Sequence, residues 1–407
     1  MTRRVSFAAV AVILAAVTAV ALRAQAPLAV ETFDAAWTIV RDKHFDESLN
    51  GLDWNAVRDE LRPRAAAAKS VTELREVIRD MLGRLGLSHF AIVPASDDGS
   101  SASPANQTGD PGFDVRWIER EIIVSEVDPA GPAAAAGVRT GWKIMAIDSR
   151  PIAQLLRALP EGANERLMHL EAWRRVQNRL RGAPNTPLSL VFEDGAGHLL
   201  PRSLVRRPEA GQPVTVGSLP TMHVRVRSER LRTRAARNVG FVKFNVWMAS
   251  VTQAFQRAVD EYRNDDGFII DVRGNPGGLA AMIMGVGGHF TAQPKTLGIM
   301  KTRHTKDPLR FNTNPQLVSS TGERVQTFAG PVAILVDALS GSASECFAGG
   351  MQSLGRARVF GQTSMGQALP AQFSKLPNGD VLIHAFGDFV TADGTRLEGQ
   401  GVIPDVP

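Results

Sequence analysis

Cysteine is nearly absent. Cys346 is the only one in 407 residues, so no disulfide can close within the chain and no paired-cysteine metal site can form. Its neighbours Phe347, Gly350, Met351 and Leu354 recur with it at helical spacing, which makes it a packing thiol on an apolar face. The eight histidines are dispersed and HExxH is missing, so no metal signature remains. The glycines of NPGGLAAM lack the lysine and the serine or threonine of a phosphate loop, and they do not make G-x-G-x-x-G; no cofactor is expected. Basic residues are scattered around a net charge of +5, except in His223–Arg237, which gathers six arginines. No aromatics interleave with them and no nucleic-acid motif accompanies them, so nucleic acid is excluded as a partner and the stretch reads as a solvated linker.

What is present begins with Arg3 and Arg4, an apolar run from Val5 to Leu22, and small residues after it. That is the pattern of a secretory signal peptide over residues 1–26, with an uncleaved membrane anchor as the competing reading. Ala24-Gln25-Ala26 has the A-x-A form but precedes Pro27, so cuts after Ala21 or Ala24 stay open. On either reading the remainder leaves the cytoplasm, and membrane contact is confined to this segment. With 44% hydrophobic residues the chain can bury two or three cores. The patterns divide it into a helical domain (27–95), a polar linker (96–111), a β-rich domain (112–207), a basic linker (208–238) and an α/β core (239–407). The core alternates GFVKF, helix, GFIIDV, helix, PVAILV, helix and ARVFGQ, the signal for a largely parallel sheet with helices on its faces.

The core is organised around Leu339–Leu354. A buried strand, GPVAILVDA, runs into a turn at Gly341, and a helix begins after Ser342. There free N–H groups favour developing negative charge. Ser342 with Glu345 three residues later is also a capping box, which needs no chemistry. A second strand, GFIIDVRGNPGG, ends in a loop bearing Asn275, Pro276, Gly277 and Gly278, and both loops fall at the C-terminal edge of the sheet, where sites in open α/β sheets lie.

Together these stretches resemble the C-terminal processing (tail-specific) serine proteases and their tricorn-type relatives, which carry an R-x-N-x-G-G loop followed by an S-A-S-E turn. The resemblance implies a core of the ClpP/crotonase-like kind, Ser342 as nucleophile, and an oxyanion hole from the N–H groups of Ala343 and Gly277. GFDVRWIEREIIVSEVDPAGPAAAAGVRTGWKIMAIDSRPI in turn resembles a PDZ domain, in which Gly112-Phe113 forms the carboxylate-binding loop and an extended peptide joins the sheet edge. Trp142 stands where that family usually has aspartate, and a PDZ that only packs against the core is the alternative.

The general base separates the branches. Tail-specific proteases place a lysine twenty-five residues after the serine; here that position is Gln367, which cannot take a proton. Lys375, in FSKLPNG, is the nearest other lysine. The tricorn-type branch instead carries a histidine in an L-G-x-S-H context, and this chain reads Leu85-Gly86-Leu87-Ser88-His89. A serine hydroxyl needs a neighbour to take its proton, and histidine suits that near neutral pH, with a titration expected near pH ~6–7. The resemblance further implies Glu398, just before G-V-x-P-D, as the acid that orients His89, and Ser88 as an assistant; Asp388 and Asp405 are weaker candidates. The implied function is an exported serine endopeptidase using a Ser-His-Glu mechanism on protein or peptide substrates, with C-terminal tails presented by the PDZ domain. The rivals are an inactive homologue that binds peptide or ligand, as interphotoreceptor retinoid-binding proteins do, and a PDZ scaffold.

Overall fold

The structure, a computed structural model, describes residues 27–95, 108–157, 159, 165–216 and 221–407. The expected signal segment and most of the expected 96–111 linker lie outside the described residues. Among those described, no helix is long and apolar enough to cross a membrane. The chain divides into two compact units, one of residues 1–95, 300–308 and 369–388, the other of 96–299, 309–368 and 389–407. Two segments expected in the α/β core thus pack with the helical part.

In the first unit, helix α1 spans 27–43, and α2 (Trp54–Ala66) and α3 (Val71–Gly83) start where the sequence caps them. Asp53 accepts from the Ala56 N–H and Ser70 from the Glu73 N–H, supplying acceptors to otherwise orphaned donors. Their apolar faces meet around Phe33, Leu61, Ile78 and Met81. Trp37 and Trp54 cross-link α1 and α2 reciprocally, each indole donating to the other's carbonyl at 2.8 and 3.1 Å. Strand β1 (Ala91–Val93) pairs antiparallel with a hairpin formed by Ala371–Lys375 and Val381–Ala385. A buried ion pair ties α3 to this hairpin: Arg75 Nε and Nη2 lie 2.9 and 2.6 Å from Asp380. Removing one partner strands a charge that the fold has already desolvated. Arg75→Ala is expected to lower stability by about 3–5 kcal/mol in urea unfolding, far beyond a typical surface substitution.

The two largest sheets among the described residues lie in the second unit. Strands β2 (Phe113–Ile118), β3 (Glu121–Val127), β4 (Lys143–Ile147), β5 (Pro187–Glu193) and β6 (Leu199–Val205) pair antiparallel in that order, so β2 is an edge. Helix α4 (Glu165–Leu180) packs beside β2 and buries Ala172, Val176 and Leu180 against Val115, Val124 and Phe192. The second sheet runs β7 (Val226–Arg232), β8 (Asn238–Phe244), β9 (Gly267–Asp271), β10 (Val332–Val336) and β11 (Arg358–Gly361), parallel from β8 onward. Helix α5 (Val251–Tyr262) links β8 to β9; its apolar stripe Phe255, Val259 and Tyr262 lies so close to the sheet that a Cβ on Gly240 would sit 2.5 Å from the Tyr262 Cβ. Helices α6 (Met282–Gly288) and α7 (Ala343–Ser353) follow β9 and β10. The strand and helix alternation read from the sequence is therefore present as an α/β sheet.

One expectation is overturned. Much of the arginine-rich stretch is not a linker but the edge strand β7, antiparallel to β8. Two of its arginines lie on partners: Arg227 over the Phe241 ring at 5.5 Å, and Arg230 over Tyr262 and bonded to Asp265 at 2.9 Å. Charge along an edge also discourages pairing with another chain, which is how this composition and a strand are compatible.

Candidate active site

Strand β10 ends at Val336 and α7 begins at Ala343, so the chain must reverse within six residues. Ser342 absorbs the reversal with φ 52° and ψ −118°, backbone angles costly for a residue with a Cβ. Such strain persists only where the surroundings hold it. Here the Ser342 N–H donates to Gln367 O at 2.8 Å and to Glu345 Oε2 at 3.0 Å, and the Gly341 N–H donates to Asn275 O at 3.0 Å. The expected capping box is present: Glu345 Oε2 accepts the Ser342 N–H at 3.0 Å, and the Glu345 N–H turns back onto Ser342, reaching its carbonyl at 2.9 Å.

Glu345 is the residue whose weight the sequence concealed. It is fully buried, and each carboxylate oxygen accepts twice: Oε1 from Ser364 Oγ at 2.5 Å and Gly366 N at 2.6 Å, Oε2 from Gln367 N at 2.9 Å and Ser342 N. Burial pushes its carboxyl up to about 7, against these four bonds, which favour the ionised form. Gln367, at the position of the absent lysine, thus serves through its backbone, holding both the Ser342 N–H and Glu345. Lys375 is an exposed residue of the hairpin in the first unit.

The loop after β9 comes up against this turn. A Cβ on Gly277 would lie 2.6 Å from the Ser342 Cβ and 3.0 Å from the Ala343 nitrogen, and one on Gly278 would lie 2.4 Å from Trp247 O, so close approach requires glycine at both. Ser342, Ala343 and Gly277 are brought together as expected. The donors differ from expectation, however. Buried Asn275 takes the Gly277 N–H on its Oδ1 at 3.0 Å while its own Nδ2 donates to Phe244 O at 3.0 Å. The Ala343 N–H, by contrast, has no acceptor among the described residues. Ser344 Oγ, 3.0 Å from Asn275 O and 2.9 Å from the Trp247 indole, fastens the helix start to the same loop.

Glu398 is buried in the same unit, and its Oε2 accepts the Ala368 N–H at 2.9 Å, one residue beyond Gln367. Asp405 is committed elsewhere, accepting the Val359 N–H at 2.7 Å. Ser88 and His89 belong to the first unit. His89 has φ 59°, and its Nδ1 lies 2.8 Å from Ser88 Oγ. Burial lowers its pKa to about 4, which replaces the titration near pH ~6–7 expected of an ordinary histidine. At neutral pH its imidazole is uncharged. Gly112 has φ 80°, but its N–H is taken by Asp110 Oδ1 at 2.8 Å, and the Phe113 side chain is buried edge-on to Phe192. Trp142, tilted against Phe192 with Arg202 over it, fills the place expected for aspartate by packing. Cys346 is a buried free thiol whose pKa burial pushes up. Among the described residues no group of histidine, cysteine, aspartate and glutamate could hold a metal ion.

His289 and His384 are likewise held at about 4, burial being the main cause in each. Above pH ~6.5 these imidazoles are neutral in folded and unfolded chains alike and contribute nothing to pH dependence. As pH falls below that value the unfolded chain binds protons first, so stability declines until the folded-state values near pH ~4 are passed. Urea midpoints should therefore drop between pH ~7 and ~4.5, and His384→Gln should flatten part of the decline.

Residues 238–407 match the peptidase family S41 model, and residues 30–83 match the tricorn protease C1 domain. Residues 238–407 are thus a peptidase family S41 domain. That makes the chain a serine-type peptidase by family, with the α/β multi-domain fold of its relatives. This chain is 26% identical, over 92% of its length, to tricorn protease homolog 2 of Streptomyces coelicolor, of which it spans 30%. It is 23% identical to the carboxyl-terminal-processing protease of Picosynechococcus sp., covering 91% of this chain and 81% of that one. Among solved structures, the photosystem II D1 C-terminal processing protease superimposes with a TM-score of 0.58 at 21% identity, over 93% of this chain and 92% of that one. Mature CPAF gives 0.63 at 14% identity, over 94% and 92%.

Proposed function

We propose that this chain is an exported endopeptidase that works through Ser342, His89 and Glu398. The observation that carries the reading is the Ser342 turn: a serine strained at φ 52°, its backbone held by Glu345 and Gln367, with the N–H of Ala343 next to it. With Nδ1–H donating to Ser88 Oγ, His89 keeps its lone pair on Nε2. Ser342 Oγ bonds to the peptide carbonyl carbon as its proton passes to that nitrogen, and the oxyanion is received by the Ala343 N–H. Collapse breaks the C–N bond, the amine leaves with the proton from His89, and water repeats the sequence on the acyl-enzyme. Glu398 orients the imidazole and balances its charge, and the Gly277 N–H joins the oxyanion hole on leaving Asn275 Oδ1.

Support for export is the apolar run after Arg3 and Arg4. The 112–207 domain is read as PDZ-like: its edge strand β2 runs beside α4, the setting in which a C-terminal tail adds to a sheet. The substrate class is accordingly protein or peptide, with tails as one source. A second reading, a ligand-binding homologue without turnover, is favoured by Gln367 and by the satisfied N–H of Gly277.

A base with pKa about 4 separates this mechanism from a lysine base. Hydrolysis of a casein-derived peptide mixture should keep about nine-tenths of its plateau kcat/KM at pH ~5, where a histidine of ordinary pKa would leave a few per cent. His89→Ala should remove that plateau. An activity that rises only above pH ~8 contradicts the assignment, and no hydrolysis at any pH favours the second reading.

A further inference from the structure

Two arginines of the 112–207 domain end on the loops that present the proposed catalytic groups. Arg116 lies on edge strand β2, and its Nε is 2.6 Å from Asp337 Oδ2. Asp337 follows β10 directly, and its other oxygen accepts the N–H of Gly274, in the oxyanion loop, at 2.8 Å and of Leu339, before the nucleophile, at 3.0 Å. One carboxylate thereby staples the two loops that meet at Ser342, and Arg116 compensates its charge where both side chains are largely buried. The guanidinium also rests on Gly274, where a Cβ would come within 2.3 Å of Nη2.

Arg166 lies in the first turn of α4, the helix beside β2. It donates to the carbonyls of Gly399 and Gln400, the two residues after Glu398. A Cβ on Gly366 or Gly401 would lie 3.0 Å from its Nη1. Gly366 in turn donates to Glu345 and accepts the Gly399 N–H at 2.9 Å, so the Glu398 turn, the Arg166 fork and the backbone next to Gln367 form one block. Carbonyl oxygens at a turn need donors when water is displaced, and a planar guanidinium can serve two at once.

We propose that Arg116 and Arg166 are positioning residues for the peptidase reaction, each fixing one catalytic loop from the neighbouring domain: Arg116 the Ser342 and Gly277 loops, Arg166 the Glu398 turn. Neither touches the reacting atoms. The inference rests on the peptidase reading, and its test has one arm that does not.

The full chain is compared with Arg116→Gln, Arg166→Gln and, as a control, Arg202→Gln. Arg202 covers Trp142 and bonds to Ala136 O, so its contacts stay within the 112–207 domain. In hydrogen exchange read by mass spectrometry, Arg116→Gln should speed exchange at Gly274 and Leu339, and Arg166→Gln at Gly399 and Gly401, while Arg202→Gln leaves all four unchanged. In the second arm, labelling of Ser342 by a small fluorophosphonate, which needs no peptide tail, should slow at least tenfold in the first two variants and hold in the third. The proposal is overturned if exchange at these amides is unaltered, if both variants label at the wild-type rate, or if Arg202→Gln slows labelling equally, which would show general loosening. A wild type that does not label refutes the peptidase reading, and the hold of the arginines is then decided by exchange alone.

Discussion

Ser342→Ala should abolish peptide hydrolysis, with a fall in kcat of about 10⁶-fold, the scale seen when a Ser–His hydrolase loses its nucleophile. The size follows from the role proposed for the residue. No other hydroxyl in the turn can substitute, because Ser340 Oγ is spent on Val272 O at 2.7 Å and Ser344 Oγ on Asn275 O. His89→Ala should cost nearly as much in kcat, and the double variant should be no worse than the single ones, since nucleophile and base act as a unit. Stability should move little in the opposite sense to activity: alanine keeps the small volume and leaves the Ser342 N–H bonds to Gln367 and Glu345 untouched. Steady-state kinetics with parallel urea unfolding checks both halves.

The second large effect is expected at Glu345, and it should appear in stability as well as in activity. Glu345→Ala leaves the buried N–H groups of Gly366 and Gln367 without their acceptor, while Ser342 N retains Gln367 O. An orphaned buried donor costs about 1–3 kcal/mol, so two imply a loss of roughly 2–6 kcal/mol. Glu345→Gln is not a safe isostere. Both carboxylate oxygens accept from two donors, and an amide NH₂ placed at either would face donors with a donor. Urea unfolding of both variants in the Ser342→Ala background, where self-digestion is absent, should show both losses. A glutamine variant as stable as its parent would mean that the pocket is less committed than its geometry implies.

Much of the α/β core was legible because its signals are local. Apolar runs such as Val332–Val336 ending in glycine turns specify buried parallel strands without knowledge of their neighbours, and the observed strands fall within a residue or two of those runs. The serine turn and the glycine loop were legible for the same reason. What stayed hidden depends on residues distant in sequence. Arg116 and Asp337 are separated by 221 positions, and Arg75 and Asp380 by 305, and nothing in either local pattern marks them as partners. The helical unit's recruitment of 369–388 is hidden likewise, since FSKLPNG reads as a hairpin whichever sheet it joins.

At the site, residue types were easier to read than their commitments. Glu345 has the spacing of a capping glutamate, and only the fold reveals that Ser364, Gly366 and Gln367 close around it. Gly277 carries the right residue for close approach, yet its N–H is engaged by Asn275, a bond across two residues that the R-x-N-x-G-G spacing permits without announcing. The arginine-rich stretch misled because composition alone does not distinguish a solvated linker from a charged edge strand; the unbroken register of Val226–Arg232 against β8 supplies the pairing.

The central claim is that Ser342 is activated by His89 and not by a lysine. The most direct test is mass-spectrometric mapping of a fluorophosphonate adduct on the mature chain and on His89→Ala and Lys375→Ala. The account predicts an adduct on Ser342 that forms at pH ~5 as well as at pH ~7, is lost in His89→Ala and persists in Lys375→Ala. An adduct on Ser342 that survives in His89→Ala, or one that disappears in Lys375→Ala, contradicts it.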